Sequence, residues 1–334
     1  MSMDRTDTPL ASRYRAALLG SAAGDALGAP VEFLPRDTIE RDHGRLTEMV
    51  GGGRFGWAPG EWTDDTAMTL AVAEGLLAAP GDLDAQVRAI GERFLAWFAG
   101  SPKDVGTTIH QALSAFRGDW PAAARATPAA RAGRAAGNGS LMRALPVALA
   151  FADEEAFLVA SARISAMTHF DRLAETCCAV HGFWVRRLLG GADPRAAWEE
   201  ALAAARERAR RGAAVDSRHA PGWAPGDDPL WRRLERAPRL APQELQPTGY
   251  AGFVVDCLEA AVAVVVRAAS YEEAMIEIVN LGGETDTMAA VAGGPAALAH
   301  WPDPIPARWL EALGGRERLE RAALGLARLA SGTL

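Results

Sequence analysis

Two short acidic clusters, Thr63-Asp64-Asp65-Thr66 and Glu284-Thr285-Asp286-Thr287, are the residues of this chain best suited to chemistry. Each precedes an apolar helical pattern: Met68, Leu70, Ala71, Leu76 and Leu77 after the first, and Met288, Ala289 and Val291 after the second. One such cluster is explained by a helix start, with Thr63 or Asp64 as N-cap and acids favoured by the helix dipole. Two of them raise a second reading. Hard divalent cations take several oxygen ligands, and two helix N-termini, each with two carboxylates and a hydroxyl, could enclose two such ions. Without cations, four carboxylates at close quarters would repel and raise one another's pKa.

Other polar residues stand where a plain core does not need them. Asp25 and Glu32 lie in GDALGAPVEF, Asp104 precedes Gly106-Thr107-Thr108, Asn138 sits between glycines in GNGSLMR, and His169 lies in MTHFD. Each also has a structural explanation: a local cap or pair for Asp25, an Asx turn for Asp104, a left-handed turn for Asn138, a hydrogen-bonded and partly buried imidazole for His169. Ser140 and Arg143, at the start of the next helix, suit an anion, although a simple turn explains the GNG run equally well.

The elements that must position these residues read as helices throughout. Apolar residues recur at helical spacing in Val87, Ile90, Phe94, Trp97, Phe98, then in Leu173, Cys177, Val180, Trp184, Leu188, then in Phe253, Leu258, Val262, Val265, Val266. No run alternates in the manner of a strand, so the fold class expected is all-α. Gly20, Ser21, Ala22, Ala23 and Gly24 fall in succession in a first helix of about Ser12 to Leu27, and such small residues permit very close packing, which places that helix centrally. Pro121 to Gly137 and Arg206 to Thr248 read as less ordered, the second as a long surface excursion. With no break in composition over 334 residues, a single domain spanning 1–334 is expected.

Bulk properties narrow the partners. The net charge of -7 disfavours nucleic acid. Cys177, Cys178 and Cys257 have neither disulfide nor zinc spacing and read as core thiols in a reducing compartment. The N-terminal residues lack the apolar core of a secretory signal, and the most apolar stretch, Phe253 to Ala269, is interrupted by Asp256, Glu259 and Arg267, against a membrane span. A cytoplasmic location is expected.

The ordered set GDALGAPVEF, MVGGGRFGWAPGEWTDDT, SPKDVGTT, GNGSLMRALP, THFD, TGYAGFVVDCLEAA and NLGGETDTMAAVAGG resembles the ADP-ribosylglycohydrolase family, nearest its bacterial dinitrogenase-reductase-activating branch, from about Tyr14 to about Leu313. The resemblance implies a compact all-α fold with a cleft holding two divalent ions, Mg or Mn. By position it assigns Thr63, Asp64 and Asp65 to the metals from the first cluster and Glu284, Asp286 and Thr287 from the second, with Asp286 as the bridge. It makes Glu32 an acidic residue of a loop over the metals, puts Asn138, Ser140, Arg143, Gly249 and Tyr250 in segments lining the ADP-ribose cleft, and matches His169 to a family histidine turn. Two departures stand out: the family usually has aspartate where Glu284 stands, and often proline where Phe170 follows His169. The activity implied is hydrolysis of ADP-ribose from a modified protein or small conjugate. The DVGTT context points to arginine linkage, with Glu32 or Asp65 as base and Asp104 pairing with the departing guanidinium. Other linkages, and a non-catalytic ADP-ribose-binding protein, are the alternatives.

Overall fold

A computed structural model describes residues 8–211, 222–245 and 252–333. Among them, secondary structure is entirely helical, and extended backbone pairs only at the isolated bridges Pro35–Gly282, Gly52–Trp57 and Gly137–Phe253. The all-α expectation holds.

The first helix runs from Pro9 to Gly28, longer at both ends than its sequence pattern suggested, because Thr8 caps it through Ala11 N–H and proline occupies its first turn. From Ala16 onward every residue is buried, which fits a helix with no polar face. Its partner is the helix Thr285–Ala299 that follows the second acidic cluster. Their backbones approach so closely that a Cβ on Gly20 would lie 2.6 Å from the Gly293 carbonyl oxygen, and one on Gly28 would lie 2.6 Å from Asp286 N. Ser21 Oγ donates to Ala290 O at 2.9 Å, and Thr285 Oγ1 to Gly28 O at 2.9 Å, which fixes the register of the pair. The helix Asp64–Ala78, which begins at the first cluster, joins the same core through Met68, Leu70, Val72 and Leu76.

The three apolar patterns read from sequence appear as the helices Leu83–Ala99, Arg172–Leu189 and Val254–Val265. Pro121 to Gly137, expected to be less ordered, instead contains most of the helix Trp120–Arg125 and all of Pro128–Arg131. Asp119 and Thr127 cap them, each followed within two residues by proline, a local start signal that outweighs the low complexity of the Ala/Arg run. The Arg206 to Thr248 excursion is also more packed than expected. Helix Pro194–Arg210 runs into it, and helix Pro229–Arg236 buries Leu230, Trp231 and Leu234, while Trp198 Nε1 donates to Leu234 O at 3.1 Å. Arg233 joins this helix to Asp256 and Glu259 of Val254–Val265. All three cysteines are free and buried. Among the described residues no helix is long and apolar enough to cross a membrane.

Candidate active site

Both acidic clusters lie at helix N-termini. Thr63 caps the Asp64–Ala78 helix: its Oγ1 accepts from Asp65 N at 3.3 Å and stands 3.2 Å from Asp65 Oδ2. Glu284 is the N-cap of Thr285–Ala299 but makes no side-chain capping bond. Its carboxylate instead lines the cleft beside Asn138. The two helix ends meet through Thr287 Oγ1, which donates to Asp65 Oδ2 at 3.3 Å.

Asp25 explains how the first cluster is held. Fully buried in the central helix, it accepts from Thr63 N at 3.0 Å and from Thr66 N at 2.9 Å and Thr66 Oγ1 at 2.5 Å. It therefore ties down the start of the Asp64–Ala78 helix and takes up amides that the helix leaves unpaired. Burial lifts its carboxyl to about 6 despite those bonds.

A cleft of about 800 Å³ opens over these helix ends, lined among others by Glu32, Asp64, Asp65, Asp104, Asn138, His169, Glu284 and Thr287. Thr63 and Asp286 are buried beside them. Burial, followed by the charges of its acidic neighbours, pushes each carboxyl upward: Asp64 to about 8, Glu32 to about 11, Asp65 and Asp286 far above the usual range. Asp65 Oδ1, Glu32 Oε2 and both Asp286 oxygens are buried without a hydrogen-bond partner among the described residues.

Magnitudes decide what such a site needs. A helix N-terminus favours a nearby carboxylate by about 0.3–1 kcal/mol, whereas desolvating one charge costs several kcal/mol. The helix ends alone do not offset four buried carboxylates, so protons or added positive charge must. No three His, Cys, Asp or Glu side chains form a finished metal-holding group among the described residues. The donor set is nevertheless of the right kind: buried, partnerless carboxylate oxygens beside two threonine hydroxyls fit hard divalent cations.

His169 is held by a relay. Arg143 Nη2 donates to Thr168 Oγ1 at 2.7 Å, and Thr168 Oγ1 lies 2.8 Å from His169 Nδ1. Because Arg143 can only donate, it takes one lone pair of the Thr168 hydroxyl and leaves that hydroxyl a proton and a second lone pair with which to hold Nδ1 and fix the ring. Burial and the Arg143 charge depress the imidazole to about 3, so it is neutral. Nε2 faces Gly137 and Gly139 at the cleft wall.

Arg143 and Ser140 differ from the sequence reading. Neither lines the cleft as an anion-binding group. The Arg143 guanidinium turns inward to the carbonyls of Gly139 and Ile164, and Ser140 Oγ accepts from Ser165 Oγ at 3.0 Å. A charge at this depth is tolerated because carbonyls and a hydroxyl receive the N–H groups of Nη1 and Nη2. Gly249 and Tyr250 lie outside the described residues. Sequence reasoning passed over the cleft residues Phe33, Arg54, Phe55 and Gln111. For Arg54 and Phe55 the glycines around them marked a loop but gave no direction.

The family model for ADP-ribosylglycohydrolase matches residues 6–333. The chain belongs to the ADP-ribosylglycohydrolase family. Among relatives of this family, it is 33% identical to an ADP-ribosyl-[dinitrogen reductase] glycohydrolase of Rhodospirillum rubrum, covering 90% of both chains. It is 30% identical to an ADP-ribosylarginine hydrolase of Serratia proteamaculans, over 93% of this chain and 78% of that one. A solved structure described as an ADP-ribosylglycohydrolase-related protein complex superposes with a TM-score of 0.70 at 34% identity, covering 96% and 99% of the two chains. The glycohydrolase fold is thus shared over essentially the whole chain, and the family acts on ADP-ribosylated proteins or ADP-ribose conjugates.

Proposed function

We propose that this glycohydrolase cleaves the N-glycosidic bond between ADP-ribose and an arginine side chain, with two divalent cations, Mg or Mn, as cofactors. The observation that carries this is the convergence, at the base of one cleft, of two helix N-termini whose buried carboxylate oxygens have no partner among the described residues. Support for the arginine linkage comes from the Serratia relative, named an ADP-ribosylarginine hydrolase, and from Asp104, a carboxylate on the cleft wall suited to a planar guanidinium.

Thr63, Asp64, Asp65, Glu284, Asp286 and Thr287 would hold the cations, which supply Lewis acidity toward ribose hydroxyls and lower the proton affinity of the carboxylates around them. The protein's own groups do the rest. Asn138 and the neutral imidazole of His169 give the cleft hydrogen-bonding capacity for the ADP-ribose moiety. Glu32, or in its place Asp65, takes the proton of the attacking water as that oxygen bonds to the anomeric carbon and the carbon–nitrogen bond breaks through an oxocarbenium-like state. Asp104 hydrogen-bonds the departing guanidine, which takes up, through solvent, the proton that the water gave to Glu32 or Asp65.

Matched arginine- and serine-linked ADP-ribosyl peptides, incubated with the protein in Mg or Mn, test the reading. Release of free ADP-ribose from the arginine peptide is expected. Release from the serine peptide alone would overturn the linkage, and formation of AMP would show instead a hydrolase of the diphosphate.

A further inference from the structure

At the mouth of the cleft stand Phe33, Arg54 and Phe55, which no step above uses. The Arg54 guanidinium carbon lies 5.5 Å from the centroid of the Phe33 ring and 5.7 Å from that of Phe55. All three line the same cleft as Asp104, and the Arg54 charge tempers the rise that burial imposes on the Asp104 carboxyl.

This cluster is braced on both sides. Phe33 adopts φ 64, a strained conformation for a residue with a side chain, and its N–H donates to Gly283 O at 2.7 Å. The strain does not serve to bury the ring, which stays 41% exposed at the cleft. Arg54 and Phe55 occupy the tip of a turn closed by Gly52 N to Trp57 O at 2.7 Å and Trp57 N to Gly52 O at 2.8 Å. Gly53, at φ 69, lies flat against the segment Ala29–Val31 that leads into Glu32; a Cβ there would stand 2.5 Å from Pro30 O.

Two aromatic faces beside a carboxylate are the surroundings a guanidinium prefers, since its plane stacks on rings and its edge pairs with oxygen. We propose that Phe33, Phe55 and Asp104 form the acceptor site for the guanidinium of the modified arginine, and that Arg54 is a resident surrogate which that guanidinium displaces. The proposal rests on the arginine-linkage reading and deepens it. Arg54 is exposed at a loop tip, so solvent can receive its guanidinium when another takes its place. A serine acceptor carries no planar cation to replace it and meets a filled site, so Arg54 discriminates against the wrong linkage by competition.

Two measurements on the Mn-loaded enzyme test this: the KM for an ADP-ribosyl-arginine peptide, and calorimetric binding of agmatine, a small guanidinium that needs no turnover. Arg54→Ala is expected to lower the KM and tighten agmatine about threefold to tenfold, while Phe33→Leu and Phe55→Leu raise the KM and weaken agmatine by a similar factor. If Arg54→Ala weakens binding of free ADP-ribose and raises the KM, Arg54 is a diphosphate clamp and the surrogate role is overturned. Unchanged agmatine binding across all variants overturns it too. A wild-type protein that leaves the arginine peptide intact yet binds agmatine more tightly as Arg54→Ala loses the linkage reading and keeps the guanidinium site. Hydrolysis of the peptide with agmatine binding indifferent to all three variants does the reverse.

Discussion

Asp286 bears a sharp conflict: two buried oxygens with no partner in hydrogen-bonding geometry among the described residues, and acidic neighbours in Asp25, Asp64 and Glu284. If cations relieve that conflict, removing the charge should help the cation-free protein and disable the loaded one. Asp286→Asn is therefore expected to melt no lower than wild type in EDTA, to lose the rise in Tm that Mn gives the wild type, and to lose turnover by about a thousandfold or more. Thermal scans with and without Mn check this, and an Asn variant that still gains stability from Mn would refute it. The pH dependence follows from neighbouring groups. Folding raises the carboxyls of Asp25 and Asp64 from 3.8 to about 6 and about 8, so the folded state binds their protons more tightly than the unfolded chain does. Their contribution to stability is present below about pH 4 and is lost as pH climbs through the raised values. In EDTA the Tm should fall between about pH 5 and 9, with Mn flattening the decline; a Tm that rises over this range without metal would contradict the assignment. At this scale the sequence was legible in residue type and weaker in direction. Thr63 as cap and Asp64, Asp65 and Glu284 at the cleft follow from a local pattern that any helix start displays. Arg143 could not be placed in the same way, because nothing in GNGSLMR says whether its guanidinium meets a ligand or the carbonyls of Gly139 and Ile164.

Among the elements, the central helix Pro9–Gly28 and its partner Thr285–Ala299 set the distance between the two clusters. Asp25 on the first grips the start of the Asp64–Ala78 helix, and Thr285 on the second bonds back to Gly28 O. Their close approach depends on glycine. At Gly24 a Cβ would collide with the Ala289 carbonyl, and Met275 Sδ stands 3.0 Å from where it would lie. Gly24→Val is expected to destabilise by about 3 kcal/mol and, by forcing the helices apart, to lower turnover in whatever protein remains folded. Urea melts and activity per folded molecule measure the two effects, and a variant with wild-type values of both would show that the contact can relax. The small-residue run from Gly20 to Gly24 made this packing legible. The helices Trp120–Arg125 and Pro128–Arg131 were missed because alanine and arginine carry no apolar period, leaving only the caps at Asp119 and Thr127 to mark them.

Over the whole molecule, the same isolated bridges that interrupt an otherwise helical architecture bind the cleft loops to one another. Pro35 pairs with Gly282, and Phe33 N–H and Gly283 N–H donate to Gly283 O and Leu34 O respectively, which joins the Glu32 loop to the Glu284 loop. Gly137 pairs with Phe253 and carries Asn138, while the Gly52–Trp57 turn, with Asp104 nearby, contributes the outer wall. The joined loops have a consequence for how such a scaffold can diversify. Backbone bonds join the loops of Glu32 and Glu284 into one unit, whereas the Arg54–Phe55 tip sits on a turn closed by its own Gly52–Trp57 pairing. On the proposed acceptor site, substitutions at the rim would change which cargo is accepted without touching the loops that carry Glu32 and Glu284.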